Sequence, residues 1–272
     1  MSKLQISLKN KRLEKFLLFS LLASGGALVI ANILGKAIAT QVSLSLYVIS
    51  TASLVVLSAI ISKRFGIKGS HGKAWLLFAI FASLWFIAER VTMYYNLTTN
   101  SEPFPSLADF FWIAGYPFLF IFLLLYLRPI HKAISKKQVI IASLISVSVL
   151  IPSMYIANAG NSGSISSLEI LVGMSYPVGD AIILIPAIIG MISFFRGEVN
   201  FLWILISMAI LIEVAGDTGF LLATFNNSYY EGHPVDILFN LSYIMLSFGV
   251  YSHLKIFKNR IDMPFKNMEN MR

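Results

Sequence analysis

The chain contains no cysteine, which excludes disulfides, thiolate metal sites and a cysteine nucleophile while leaving the redox compartment open. Charge is scarce as well. Asp, Glu, Lys and Arg make up 12% of the 272 residues against 57% of hydrophobic types, whereas a soluble globule carries about 25% charged residues. A water-soluble domain is therefore excluded as the main architecture. The four histidines are too scattered for a metal cluster. Only His233, beside Glu231 and Asp236, could join a carboxylate metal site, and a solvated loop histidine is the plainer reading. Neither a phosphate-binding glycine loop nor a nucleophile elbow is found. No cofactor and no enzymatic activity are expected.

What fills the chain instead is lipid-compatible sequence, with a mean hydropathy of +0.77. Eight apolar stretches, at roughly 15–34, 42–62, 74–95, 109–127, 139–157, 169–194, 200–224 and 236–254, each approach the ~20 residues a helix needs to cross a bilayer. The expected fold is all-α, an eight-span polytopic membrane protein. No small-residue cleavage site follows the first stretch, which reads as a retained helix and not a signal peptide.

Basic residues set the expected orientation. Lys3, Lys9, Lys11, Arg12 and Lys15 precede the first span; Lys63, Arg64, Lys68 and Lys73 lie in the second loop, Arg128, Lys132, Lys136 and Lys137 in the fourth, and Arg196 in the sixth. With five more in the tail, 19 of the 21 Lys and Arg fall on one side, so both termini are expected in the cytoplasm, the protein in the cell membrane. The net charge of +8 then marks topology and attraction to anionic lipids, and no nucleic-acid partner is implied. The amino end, the outer loop near 158–167 and the tail are too short to build a core of their own.

Aligned with itself at an offset near 128 residues, the chain brings Asp109 and Tyr116 onto Asp236 and Tyr243, Glu89 opposite Asp217 and Tyr47 opposite Tyr176. The matched positions are polar or aromatic. They predict two parallel four-helix repeats, 1–138 and 139–257, followed by a short basic tail at 258–272. Chance alignment of apolar helices is the competing reading.

Five ionisable residues lie within spans: Glu89, Arg90, Asp180, Glu213 and Asp217. Each acid typically costs ~2.5–3.5 kcal/mol at a helix centre, so such groups face a bundle interior or a watery cavity. By the expected orientation they occupy the outer half of the membrane. Glu213 and Asp217 share a helix face, and two charges about 5.5 Å apart repel by roughly 3 kcal/mol at an effective dielectric near 20. As the only basic residue within any span, Arg90 is predicted to reach across to Asp217, Glu213 or Asp180. Two roles compete: a buried polar network pinning helix register, satisfied by Arg90, Tyr116 and Tyr176, or a cavity binding a small cation, protons or a polar ligand. Prolines 117, 152, 177 and 186 fall inside spans and free carbonyls four residues back. Asn96-Leu-Thr and Asn226-Asn-Ser read as sequons in outer loops. The Pro177-Val-Gly-Asp180 string with Ala-Gly-Asp217 superficially resembles the signature of intramembrane aspartyl proteases, but its first glycine is a proline and the partner elements are missing.

The string Pro105-Ser-Leu-Ala-Asp109-Phe-Phe-Trp-Ile-Ala-Gly-Tyr116-Pro117 resembles the multi-helix membrane module at the amino end of many prokaryotic GGDEF-type diguanylate cyclases and sensor histidine kinases. The resemblance continues through Tyr176-Pro-x-x-Asp180, Asp217 and the 236–243 stretch, and covers about residues 75–255. It implies an input module sensing something at or in the membrane. No cyclase or kinase domain follows His253, so a non-enzymatic sensory or ligand-binding module acting through a protein partner is the expectation. Its site comprises Glu89, Arg90, Asp109, Tyr116, Tyr176, Asp180, Glu213, Asp217 and Asp236, with Asp109 and Asp236 capping the fourth and eighth helices. The alternatives are an accessory subunit of a larger membrane complex and a proton- or cation-coupled transporter. Against transport, Thr51 stands where the first half would match Asp180.

Overall fold

Apolar runs with few breakers become helices because hydrocarbon offers the backbone no hydrogen bonds. A computed structural model describes residues 3–99, 103–159, 166–194 and 200–261. Eight helices run through them: α1 (Lys3–Leu34), α2 (Lys36–Phe65), α3 (Gly69–Thr99), α4 (Leu107–Leu127), α5 (Lys136–Ala159), α6 (Ser167–Phe194), α7 (Asn200–Phe225) and α8 (Asp236–Ile261). A short 3-10 helix, Arg128–Ala133, links α4 to α5. All eight are long and apolar enough to cross a membrane, and no strand occurs among the described residues. Arg196, most of the 158–167 loop and the tail beyond 261 lie outside the described residues.

Local chemistry explains the boundaries. Gly35 separates α1 from α2 with a φ of 124°, a left-handed value that favours glycine. Ser106 caps α4: its hydroxyl accepts from Ala108 N, while the Asp109 carboxylate accepts from the Ser106 backbone N–H, a reciprocal capping box. Helix α3 runs past the expected end near 95 because nothing there breaks it; Thr98 and Thr99 hydroxyls donate back to the carbonyls of Tyr94 and Tyr95. Asn96 is consequently helical, donating to Thr92 O, and its sequon lies on a helix end instead of a loop. The many serines of α2 hide in the same way, Ser45, Ser50 and Ser53 each donating to a carbonyl four residues back.

Packing arranges six of the helices in a closed ring, in the order α2, α3, α4, α6, α7, α8 and back to α2. Helix α1 lies outside against α2 and α8, and α5 lies outside against α6 and α7. Large apolar side chains such as Phe16, Phe19, Leu22, Ile33, Ile49, Leu144 and Tyr155 point outward, as a lipid-facing surface requires. The ring interior divides along its axis. At the end where α2 and α8 finish, Trp75, Phe78, Phe122, Tyr126 and Trp203 form an aromatic core with His71 and His253. At the opposite end the interior is polar. There the α7–α8 loop folds over the ring: Asn32 donates to Gly232 O at 2.8 Å, Thr40 to Glu231 O at 2.7 Å and Ser43 to Glu231 Oε1 at 2.7 Å.

Candidate functional site

Among the described residues seven acids are buried, namely Glu89, Asp109, Asp180, Glu213, Asp217, Glu231 and Asp236, and a tyrosine meets most of them. Tyr116 of α4 lies 2.8 Å from Asp180 Oδ1 and 3.0 Å from Asp217 Oδ2. Tyr243 of α8 donates to Glu89 Oε1 at 2.7 Å. Tyr176 of α6 donates to Asp109 Oδ1 at 2.6 Å, and the Tyr47 hydroxyl of α2 lies 3.5 Å from the Asp236 carbonyl. Asp236 itself is held by Tyr229 at 3.1 Å and by Gly232 N at 2.7 Å.

The carboxyl groups of Asp180 and Asp217 also face each other closely enough to hydrogen-bond. Tyr116 brings one hydroxyl proton to two acidic side chains. A hydrogen bond between the two acids requires a proton on one of them, since two carboxylates can only accept. Glu213, one turn before Asp217, has Ser242 alongside, yet its Oε2 is buried with no hydrogen-bond partner. Such orphaned buried acceptors are uncommon in folded proteins.

These groups surround a cavity of about 60 Å³ near the polar end of the ring. Of the residues singled out in the sequence, Glu89, Tyr116, Tyr176, Glu213 and Asp217 line it. Asp109 and Asp180 stand one hydrogen bond behind the wall, fixing Tyr176 and Tyr116. Asp236 anchors Tyr229, which does line the cavity. Sequence reasoning left out Tyr47, Trp85, Trp112, Glu231, Phe239 and Tyr243 as site residues, all of which reach the wall. Tyr47 and Tyr243 fall opposite Tyr176 and Tyr116 when the sequence is aligned with itself at an offset near 128, a signal that could have found them. Trp112 and Phe239 are equivalent at the same offset.

Arg90 departs from expectation. Its Nη1 lies 3.3 Å from Met93 Sδ and its guanidinium 5.2 Å from the Phe86 ring centre, while Nε and Nη2 are buried without a hydrogen-bond partner. It reaches none of Asp180, Glu213 and Asp217 and does not line the cavity. The reason is angular: successive helix residues point about 100° apart, and Glu89 is the one that faces inward, to Tyr243 and the cavity.

Metal binding at His233 fares no better. Among the described residues no three His, Asp or Glu side chains come close enough to hold a metal ion. Burial, and then the neighbouring Lys36, push the His233 imidazole below its ordinary range, and its Nδ1 accepts from Val235 N at 3.3 Å. Lys36 meanwhile lies over the Tyr230 ring at 4.6 Å. No family model, curated protein or solved structure matches the chain.

Proposed function

We propose that the chain is a non-enzymatic cell-membrane module of two parallel four-helix halves, both termini cytoplasmic, that binds a ligand between the halves and signals through protein partners. One observation carries the reading: tyrosines and acids exchanged across the ring enclose a cavity lined by Glu213, whose buried Oε2 has no hydrogen-bond partner. A network serving only to pin helix register has no need of a void, and interiors normally close such space. Two parallel repeats are favoured by the reciprocity of the bonds. Tyr116 of the first half meets Asp217 of the second, and Tyr243 of the second meets Glu89 of the first. The likeness of 105–117 and its sequels to cyclase and kinase input modules points to sensing as the use of the site.

The test is a thermal-unfolding screen of the purified full-length protein in lipid nanodiscs against a mixed panel of neutral, anionic and cationic small molecules. A ligand at 100 times its Kd stabilises by roughly 2.7 kcal/mol, so binders should raise the Tm by degrees. The shift should vanish in Thr92→Phe, which fills the cavity from its α3 wall. Stabilisation by nothing in the panel, or shifts indifferent to that substitution, would remove the reading.

Proton- or cation-coupled transport is the second reading, favoured by the Asp180–Asp217 pair. Reconstituted vesicles showing flux that Asp217→Asn and Glu213→Gln abolish would promote it over sensing.

A further inference from the structure

The geometry points to an organic ammonium ion as the occupant of the cavity, clasped by aromatic ring faces and neutralised by Glu213 with Glu89 and Asp217; this rests on the ligand-binding reading above. Four observations converge on that chemistry. First, the wall has nine aromatic residues out of fourteen, four acids and no basic residue. Ring faces carry negative electrostatic potential and attract cations, most strongly where water is excluded.

Second, most donors of the wall are already engaged. The hydroxyls of Tyr116, Tyr176, Tyr229 and Tyr243 are all directed at carboxylates, and Trp85 Nε1 donates to Trp112 O at 3.0 Å. Apart from the Thr92 hydroxyl, what remains is chiefly acceptor oxygen and π surface, which suits a species that donates hydrogen bonds or carries positive charge and poorly suits an anion. Third, Glu213 lines the cavity and is 6% exposed, and its Oε2 has no partner. A cation offsets the negative charge of that oxygen and of Asp217, which Arg90 does not reach.

Fourth, the size and composition argue against a bare inorganic ion. About 60 Å³ of room is several times what one water or one bare ion fills. A metal would need converging oxygen or nitrogen ligands, and the described residues hold no such grouping of three.

The experiment measures binding of choline, tetraethylammonium and benzyltrimethylammonium to the full-length protein in nanodiscs, by tryptophan fluorescence and calorimetry. For choline, the uncharged isostere 3,3-dimethylbutan-1-ol serves as the comparison. We expect at least one of the cations to saturate the site, and choline to bind at least about tenfold more tightly than its isostere. Glu213→Gln, which keeps the shape and removes the charge, should weaken the best cation by about tenfold or more. Should that variant fail to fold, Phe239→Leu removes one ring and no polar atom and should lower cation affinity without favouring the neutral compound. Equal binding of choline and its isostere, or unchanged cation affinity in folded variants, would overturn the inference. Saturable binding of neutral or anionic panel members with no cation binding would overturn it too, yet leave the ligand-binding reading standing; silence from every compound would overturn both.

Discussion

Tyr116 is the residue on which the polar interior turns, since its single hydroxyl serves Asp180 and Asp217 on two different helices. Removing it in Tyr116→Phe keeps the ring, which packs against Trp85 at 6.1 Å, and leaves both acids without that donor. A buried acceptor losing its partner costs about 1–3 kcal/mol, and hydrogen bonds between membrane helices average nearer 0.6, so we expect a loss of roughly 1–2 kcal/mol in detergent unfolding. Asp217→Asn should cost less, because its amide N–H can take the place of the proton held between the acids. An Asp217→Asn variant less stable than Tyr116→Phe would refute that arrangement of protons. The acids themselves were legible in the sequence, because a carboxylate inside a span must find an interior. The geometry of Arg90 was not. Charge complementarity alone suggested a pair with Asp217, whereas helix phase turns Arg90 toward Phe86 and Met93, and phase relative to a neighbouring helix is fixed only by packing.

At the scale of helices, close approach is set by small residues facing large rings. A Cβ on Gly190 of α6 would lie 2.0 Å from Trp203 of α7, and one on Gly179 would lie 2.8 Å from the Tyr116 ring. Trp203 has little room to yield, being stacked on Phe194 at 5.3 Å and edge-on to Tyr126 at 5.4 Å. Gly190→Ala should therefore separate α6 from α7 and destabilise by about 1–3 kcal/mol. Gly26→Ala makes the control, because nothing lies within 4 Å of its added Cβ and the helical gain is about 0.5–1 kcal/mol. Thermal melts followed by tryptophan fluorescence compare the two; equal melting temperatures would show that α6 and α7 are not held at that crossing. Element existence was the easy part of the sequence, since apolar run length decides it. Helix ends were harder: the Asn96 sequon fell within the last turn of α3, where the Thr98 and Thr99 hydroxyls fold back onto the Tyr94 and Tyr95 carbonyls, local bonds that hydropathy does not register.

Across the whole molecule, the ring closes through contacts between the first four helices and the last four, α4 against α6 and α2 against α8. The polar bonds follow the same traffic, with Tyr176 donating to Asp109 and Tyr243 to Glu89. Either group of four alone would expose acids in lipid without their tyrosines: Glu89 would lack Tyr243, and Asp217 would lack Tyr116. Such a half is stranded by several kcal/mol if each unpartnered acid costs ~2.5–3.5 kcal/mol near a helix centre. Together the halves recover every one of these pairs, and the covalent link between them is only the stretch from Arg128 to Ser135, whose 3-10 residues include none that is buried. Cutting the chain between Ile134 and Ser135 and producing residues 1–134 and 135–272 together should consequently give a complex that co-purifies through a tag on one half. Each half made singly should be degraded or aggregate. The decisive variant is Glu89→Ala with Asp217→Ala in the two co-expressed pieces: if the exchanged tyrosine–acid bonds join the halves, recovery of the complex should fall while yields of the single halves improve. Undiminished recovery would mean that apolar packing at the α2–α8 and α4–α6 seams suffices, and that the acids are held for what occupies the cavity and not for assembly.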